Sequence, residues 1–375
     1  MSAAAPPATA EFRALLAGAD VRWTALGMSA AEFLDACARH DVHALMHARR
    51  INLRDEDGWP DDVCAELARI VRAETAREMV RCAEVAGAIG ALAEAGVRPI
   101  VLKGTALAYT VYDTPIARPR LDTDLLIDAA DQHAARRALE GRGYAAPPYC
   151  DQLFSQFQME KRDEFGLRHV IDVHWKISTQ PVFADVLSYD EMRSRAVPVP
   201  ALGPAAVAPS VVDALLLACI HPVMHHQNAK RLLWTYDTHV LASGLTPDDF
   251  QEFVGRATQT HVAAVCAHEL RLAQTLFGTR VPADAMRQLS AALDEPSAGY
   301  LASHRRWHHE LASSVRALPR IGDRIKLLRD VLLPSPSYML GAYGLRGKPL
   351  GPWLLPALYV HRNMRGAWKI LTGKK

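Results

Sequence analysis

The chain has 375 residues, half of them apolar, and a formal net charge of only +2. That length can bury a substantial core and points to more than one domain, and the apolar share excludes disorder as the default state. The near-balanced charge gives no broad electrostatic case for a nucleic-acid partner, so a polynucleotide substrate is not favoured.

Residues 1–97 read as helical. Ser29-Ala-Ala-Glu32 has capping-box spacing before Phe33-Leu34, and Pro60-Asp-Asp-Val starts a pattern whose apolar residues continue to Leu92. This region is expected to be a packing layer and not a site. Residues 98–205 alternate short strands and helices. Arg98-Pro-Ile-Val-Leu-Lys103 reads as a buried strand, and Gly104 lets the backbone turn into a helix over 105–112. Asp122-Thr-Asp124 heads the apolar run Leu125-Leu-Ile127, a helix follows over 130–141, and residues 154–168 form a hairpin leading into the strand His169–Trp175. Pro198, Pro200, Pro204 and Pro209 mark a boundary.

Residues 206–375 return to helical patterning, with helices over 210–224 and 225–241, the latter burying Leu233 and Trp234. His221, His225, His226, Asp237 and His239 match no zinc-ligand spacing and read as packing or capping residues. At the C-terminus Trp353–Val360 is too short to span a bilayer and is followed by Arg362, Arg365, Lys369, Lys374 and Lys375. This basic amphipathic tail is expected to pack on its own domain, with contact to an anionic membrane as the lesser alternative. The six cysteines are scattered without a Cys-x-x-Cys pair, which argues against structural zinc and suits a reducing compartment. No charged start followed by an apolar core opens the chain, and the cytoplasm is the expected location.

The chemistry concentrates in the middle segment. Side chains two apart on a strand share a face, roughly 6 to 7 Å apart, so Asp122 and Asp124 can converge on one or two divalent cations. Mg²⁺ is the natural occupant, because it takes few carboxylates and keeps the rest of its shell for water and substrate phosphates; Mn²⁺ is an alternative. Free N–H groups of the helix beginning at Gly104-Thr105 would face a triphosphate, with Lys103 offsetting its charge and the Thr105 hydroxyl donating. Asp172, in another short strand, is the candidate third ligand or general base. His174 shares its face and either orients the acceptor or is a hydrogen-bonded strand histidine, the latter slightly favoured. Arg118 and Arg120 either bind phosphate or pair with carboxylates. His225, Arg231 and Asp237 form either a hydrogen-bonded wall facing the cleft, in contact with base or acceptor, or a purely structural set.

Lys103-Gly104-Thr105, a helix, Asp122-x-Asp124 and then Asp172 together resemble the DNA polymerase β-like nucleotidyltransferase superfamily. Within it, Val101–Leu107, Arg118-Pro119-Arg120, Ile171–Trp175 and the Arg231–Asp237 block resemble a bacterial family of uncharacterised nucleotidyltransferases over about residues 98–240. Gly104-Thr105 stands where the superfamily usually has Gly-Ser or Gly-Gly, and the gap to Asp122 is longer than in its minimal members. The resemblance implies an α+β enzyme, with a small mixed sheet as the nucleotidyltransferase core between N- and C-terminal helical regions. It further implies transfer of a nucleoside monophosphate from an NTP to a small-molecule, peptide or protein acceptor, with Asp122, Asp124 and Asp172 as metal ligands. The alternatives are a non-catalytic nucleotide-binding scaffold or sensor and a phosphotransferase releasing NDP.

Overall fold

The computed structural model describes residues 8–51, 58–147, 155–225, 231–292, 294–301, 307–318, 320–345 and 347–372. It is an α+β protein built on one mixed sheet. Strands β1 (Ile100–Leu102), β2 (Thr123–Leu126), β3 (Gln156–Arg162), β4 (Arg168–His174), β5 (Val197–Pro198) and β6 (Val207–Ala208) lie in the order β3-β4-β2-β1-β6-β5. β1 and β2 are antiparallel, β2 and β4 parallel, and β3 and β4 an antiparallel hairpin. The central strands β1 and β2 are buried along their whole length, as expected for short apolar runs covered on both faces.

Two-residue alternation divides the sheet into faces. Val101, Leu125, Ile171, Val173, Phe157 and Met159 point to one side, where they pack with Val85, Ala88, Ile89 and Leu92 of the long helix Asp61–Glu94 and with Ala135 and Leu139 of the helix Gln132–Gly141. Ile100, Leu102 and Leu126 point to the other, where Val212, Leu215, Leu216, Cys219 and Val223 of the helix Val211–His225 cover them. Asp124, Asp172 and His174 share this second face, beyond the reach of its apolar cover. The pleat therefore puts carboxylates and imidazole on the side where a cleft opens.

The N-terminal helices form a third cluster with the helix Leu232–Ser243, in which Phe12, Leu16, Phe33, Met46 and Leu67 meet Leu233, Tyr236 and Phe277. Arg49 donates to the Tyr236 hydroxyl at 2.9 Å across this junction. Residues of the N-terminal region and of the stretch 232–277 thus share one core. The expected capping box is present, with Glu32 N–H donating to Ser29 Oγ at 3.3 Å and Ser29 N–H to Glu32 Oε2 at 2.8 Å.

Several expectations change. The proline-rich stretch read as a boundary instead supplies β5 and β6, and β6 pairs with β1, so it completes the sheet. The residue in the left-handed region at the strand-to-helix turn is Lys103, with φ +49°, and not Gly104. The helix there runs Lys103–Thr110, starting two residues earlier than expected. The start of the expected hairpin at Phe154 lies outside the described residues.

The C-terminal helix Gly351–Thr372 packs against the helix Pro336–Ala342. Tyr359 and Arg362 donate to the carbonyls of Pro334 and Val331, and a large part of its apolar surface faces solvent.

Candidate active site

A cleft of about 770 Å³ opens over the polar end of the second sheet face. Its floor is Lys103, Gly104, Asp122, Asp124, Gln156, Asp172 and His174. Its walls come from the N-terminal helices, through Asp41, His43, Glu74, Arg77 and Arg81, and from His221, Arg231 and Trp234.

Asp124 and Asp172 are direct partners across the parallel β2–β4 pair, and Gln158 is the next neighbour in the same row. Register, not sequence distance, brings the two carboxylates together. Asp124, Asp172 and His174 each offer a ligand atom within 4.8 Å of the others, a spacing compatible with a single metal ion. Asp122 stands exposed at the rim of the cleft. The cleft walls, and then the Asp124 charge, raise its carboxyl above the ordinary range.

Asp124 is buried and strongly held. Lys103 Nζ donates to its Oδ1 at 2.6 Å, and His174 Nε2 lies 2.8 Å from the same oxygen. Burial alone pushes this carboxyl upward, but the Lys103 charge and the His174 hydrogen bond outweigh it and keep Asp124 ionised well below the usual carboxylate range. Asp172 goes the other way. Burial and the neighbouring Asp124 raise it to about 6, although Gln158 Nε2 donates to its Oδ1 at 2.8 Å. Two adjacent carboxylates with opposed shifts are an arrangement suited to one permanent anion and one proton acceptor. His174 is nearly inaccessible, and burial together with the Lys103 charge lowers its pKa, which favours the neutral ring. Its Nδ1 is buried with no hydrogen-bond partner among the described residues.

The Lys103-Gly104-Thr105 turn splits its expected tasks. Lys103 reaches the acidic pair because its left-handed backbone directs the chain sharply out of β1. Gly104 stands in a tight spot: a Cβ there would lie 3.3 Å from Arg118 Nη1 and 3.4 Å from Arg120 Cβ. Thr105 is buried, with its hydroxyl 3.4 Å from both the Asp122 carbonyl and Thr123 Oγ1. That side chain ties the helix to β2 and is not part of the cleft lining.

Arg118 and Arg120 both pair with carboxylates. Arg118 Nε donates to the two Asp237 oxygens at 2.7 and 2.9 Å, and the Tyr112 hydroxyl donates to Asp237 Oδ1 at 2.6 Å. Arg120 Nη2 donates to Glu78 Oε1 at 2.5 Å, while its Nε and Nη1 are buried without a hydrogen-bond partner among the described residues. Both arginines still border the cleft. Among the described residues, Arg231 and Asp237 have separate partners. Asp237 is committed to Arg118 and Tyr112, Arg231 pairs with Asp41 and lies over the Trp234 ring at 5.0 Å, and the His225 side chain and all of His226 lie outside the described residues. His239 hydrogen-bonds Thr279 and stacks near Tyr236 and Phe277.

Sequence reasoning passed over the N-terminal wall, above all Glu78. A signal was there: Glu78 falls in helical phase with the buried Leu67 and Val85. A glutamate in that phase requires a buried cation, and Arg120 supplies it together with Arg81.

With this geometry in view, one comparison decides the family: residues 27–278 match the family described as uncharacterised nucleotidyltransferase. The chain belongs to that family. The match extends well upstream of the acidic strands and so includes the helices that wall the cleft. No curated protein matches this chain in sequence. Among the described residues, Asp124, Asp172 and His174 are the one group of three able to hold a metal ion.

Proposed function

We propose that this nucleotidyltransferase moves a nucleoside monophosphate from an NTP to a hydroxyl or other nucleophile of a small-molecule, peptide or protein acceptor and releases pyrophosphate. The observation carrying this reading is the Asp124–Asp172 row beside Lys103 at the floor of a cleft large enough for a nucleotide.

The donor set fits a hard cation. Asp124 and Asp172 stand side by side, with Lys103 as the one cation bonded to Asp124 among the described residues, and carboxylate oxygens suit Mg²⁺ or Mn²⁺. Asp124 and Asp172, with Asp122 at the rim, would hold the ion; when bound, it neutralises and aligns phosphate oxygens. Lys103 is placed to exchange part of its bond to Asp124 for a phosphate oxygen. Asp172 is placed to accept the acceptor's proton as the acceptor oxygen bonds the α-phosphorus and the α–β bridging oxygen departs with pyrophosphate. Arg120 has two unspent donors at the cleft wall and suits a phosphate oxygen, whereas Arg118 is spent on Asp237 and acts as a support.

The test is thermal stabilisation by each of the four NTPs, with and without Mg²⁺ or Mn²⁺, followed by product analysis with the α-labelled nucleotide that binds. A metal-dependent rise lost in Asp124→Asn and Asp172→Asn, with label transferred and pyrophosphate released, is expected. Release of NDP would replace the proposal with phosphoryl transfer, and binding without turnover with any acceptor pool would point to a sensor.

A further inference from the structure

The last sixty residues have a charge unlike the rest of the chain. Residues 316–375 contain twelve Lys or Arg and two Asp, although the whole chain is only +2, so the preceding part is net acidic. Two helices in this segment turn apolar faces outward. On Ile321–Leu332, the exposed residues Ile321, Ile325, Leu328 and Leu332 recur at i, i+4, i+7 and i+11. On Gly351–Thr372, Trp353, Val360, Met364 and Trp368 recur at i, i+7, i+11 and i+15, with Trp353 84% and Trp368 64% exposed. Each set is one face of an amphipathic helix, the pattern that normally marks a buried side.

The opposite side of Gly351–Thr372 is already used. Tyr359, Arg362 and Asn363 donate to Pro334, Val331 and Leu332 carbonyls, so the two helices are joined through their backs while the residues of the apolar stripes are exposed. Exposed Lys326, Arg329, Lys348 and Arg365 border the stripes. Among the described residues no helix is long and apolar enough to cross a membrane. A helix with an exposed apolar stripe, tryptophans near its ends and cationic flanks has the composition of an element lying in a bilayer's headgroup region.

We infer that the C-terminal helices dock this protein on an anionic lipid surface, with Trp353, Met364, Trp368, Ile321 and Ile325 entering the interface and the basic residues meeting lipid phosphates. Charge complementarity favours this occupant over a second copy, because two such segments would bring like charges together, whereas an anionic surface neutralises them.

The experiment is sedimentation of the full chain with vesicles of phosphatidylcholine alone or mixed with phosphatidylglycerol, at low and high salt, alongside tryptophan emission and sedimentation velocity. Expected are pelleting with the anionic vesicles only, release as salt rises, and a blue shift lost in Trp353→Ser/Trp368→Ser. Lys326→Glu and Arg365→Glu should each weaken partitioning on the order of thirtyfold, while NTP stabilisation is unchanged in all these variants. Absence of pelleting with anionic vesicles, or equal pelleting with neutral ones, overturns the inference. A concentration-dependent dimer abolished by the tryptophan double variant, without vesicle binding, assigns the faces to a second copy instead.

Discussion

Replacing Asp237 with alanine tests how the cleft wall is held. Both Arg118 and Asp237 have side chains less than one-tenth exposed, and Asp237 receives both the Arg118 Nε and the Tyr112 hydroxyl. In Asp237→Ala the guanidinium remains buried with Nη1 still donating to the Pro119 carbonyl at 2.8 Å, but its counter-charge is gone. Breaking a buried pair from one side costs about 3–5 kcal/mol, because the remaining charge cannot return to water. A folded domain has roughly 5–15 kcal/mol in total, so a large part of its stability goes. With a urea dependence of about 3 kcal/mol per molar, the midpoint should fall by roughly 1 M or more. Equilibrium urea unfolding followed by tryptophan fluorescence measures it. Arg118→Met/Asp237→Leu should recover most of the loss, since apolar replacement of both partners leaves no orphaned charge. A loss below about 1 kcal/mol in Asp237→Ala would refute the reasoning, as would a double variant no better than the single one.

Glu78→Ala should destabilise by a similar ~3 kcal/mol because Arg120 is equally buried, and a urea midpoint matching wild type would count against it. Thr105→Ala should leave the NTP affinity within about twofold, since the hydroxyl faces β2; a tenfold weakening measured by calorimetry would restore it to the phosphate site. Stability should carry a pH signature from Glu269, which burial raises to about 7. The unfolded side chain releases its proton near 4.5 while the folded one keeps it to about 7, so the contribution is greatest below pH ~4.5 and falls by about 3 kcal/mol as pH rises to ~7. Glu269→Gln should flatten the melting temperature across that window; an unchanged slope would place the titration elsewhere. Turnover should decline as pH falls through the range in which Asp172 gains its proton, near 6 in the metal-free site and lower once a cation is bound, and a rate independent of pH there would remove Asp172 as the base.

Local order was legible in the sequence because it depends on neighbours along the chain. The Ser29–Glu32 cap, the short apolar strands, the hairpin into the Asp172 strand and the acidic pair all follow from spacing and side-chain chemistry, while the α+β class and the family came from the resemblance those motifs carry. What the sequence could not decide was partnership at long range. Nothing near Arg118 announces Asp237, 119 residues away, and nothing near Arg120 announces Glu78, because buried ion pairs are selected by three-dimensional proximity. The left-handed residue at the turn is Lys103 and not Gly104, and Arg118 and Arg120 lie close to the glycine, an arrangement visible only after packing. The β2–β4 register likewise placed Asp172 beside Asp124 and raised one carboxyl while a lysine and a histidine lowered the other. The residue types at this site belong to the sequence, and their division of charge to the tertiary structure, because a carboxylate's proton affinity depends on which groups stand within a few ångströms of it.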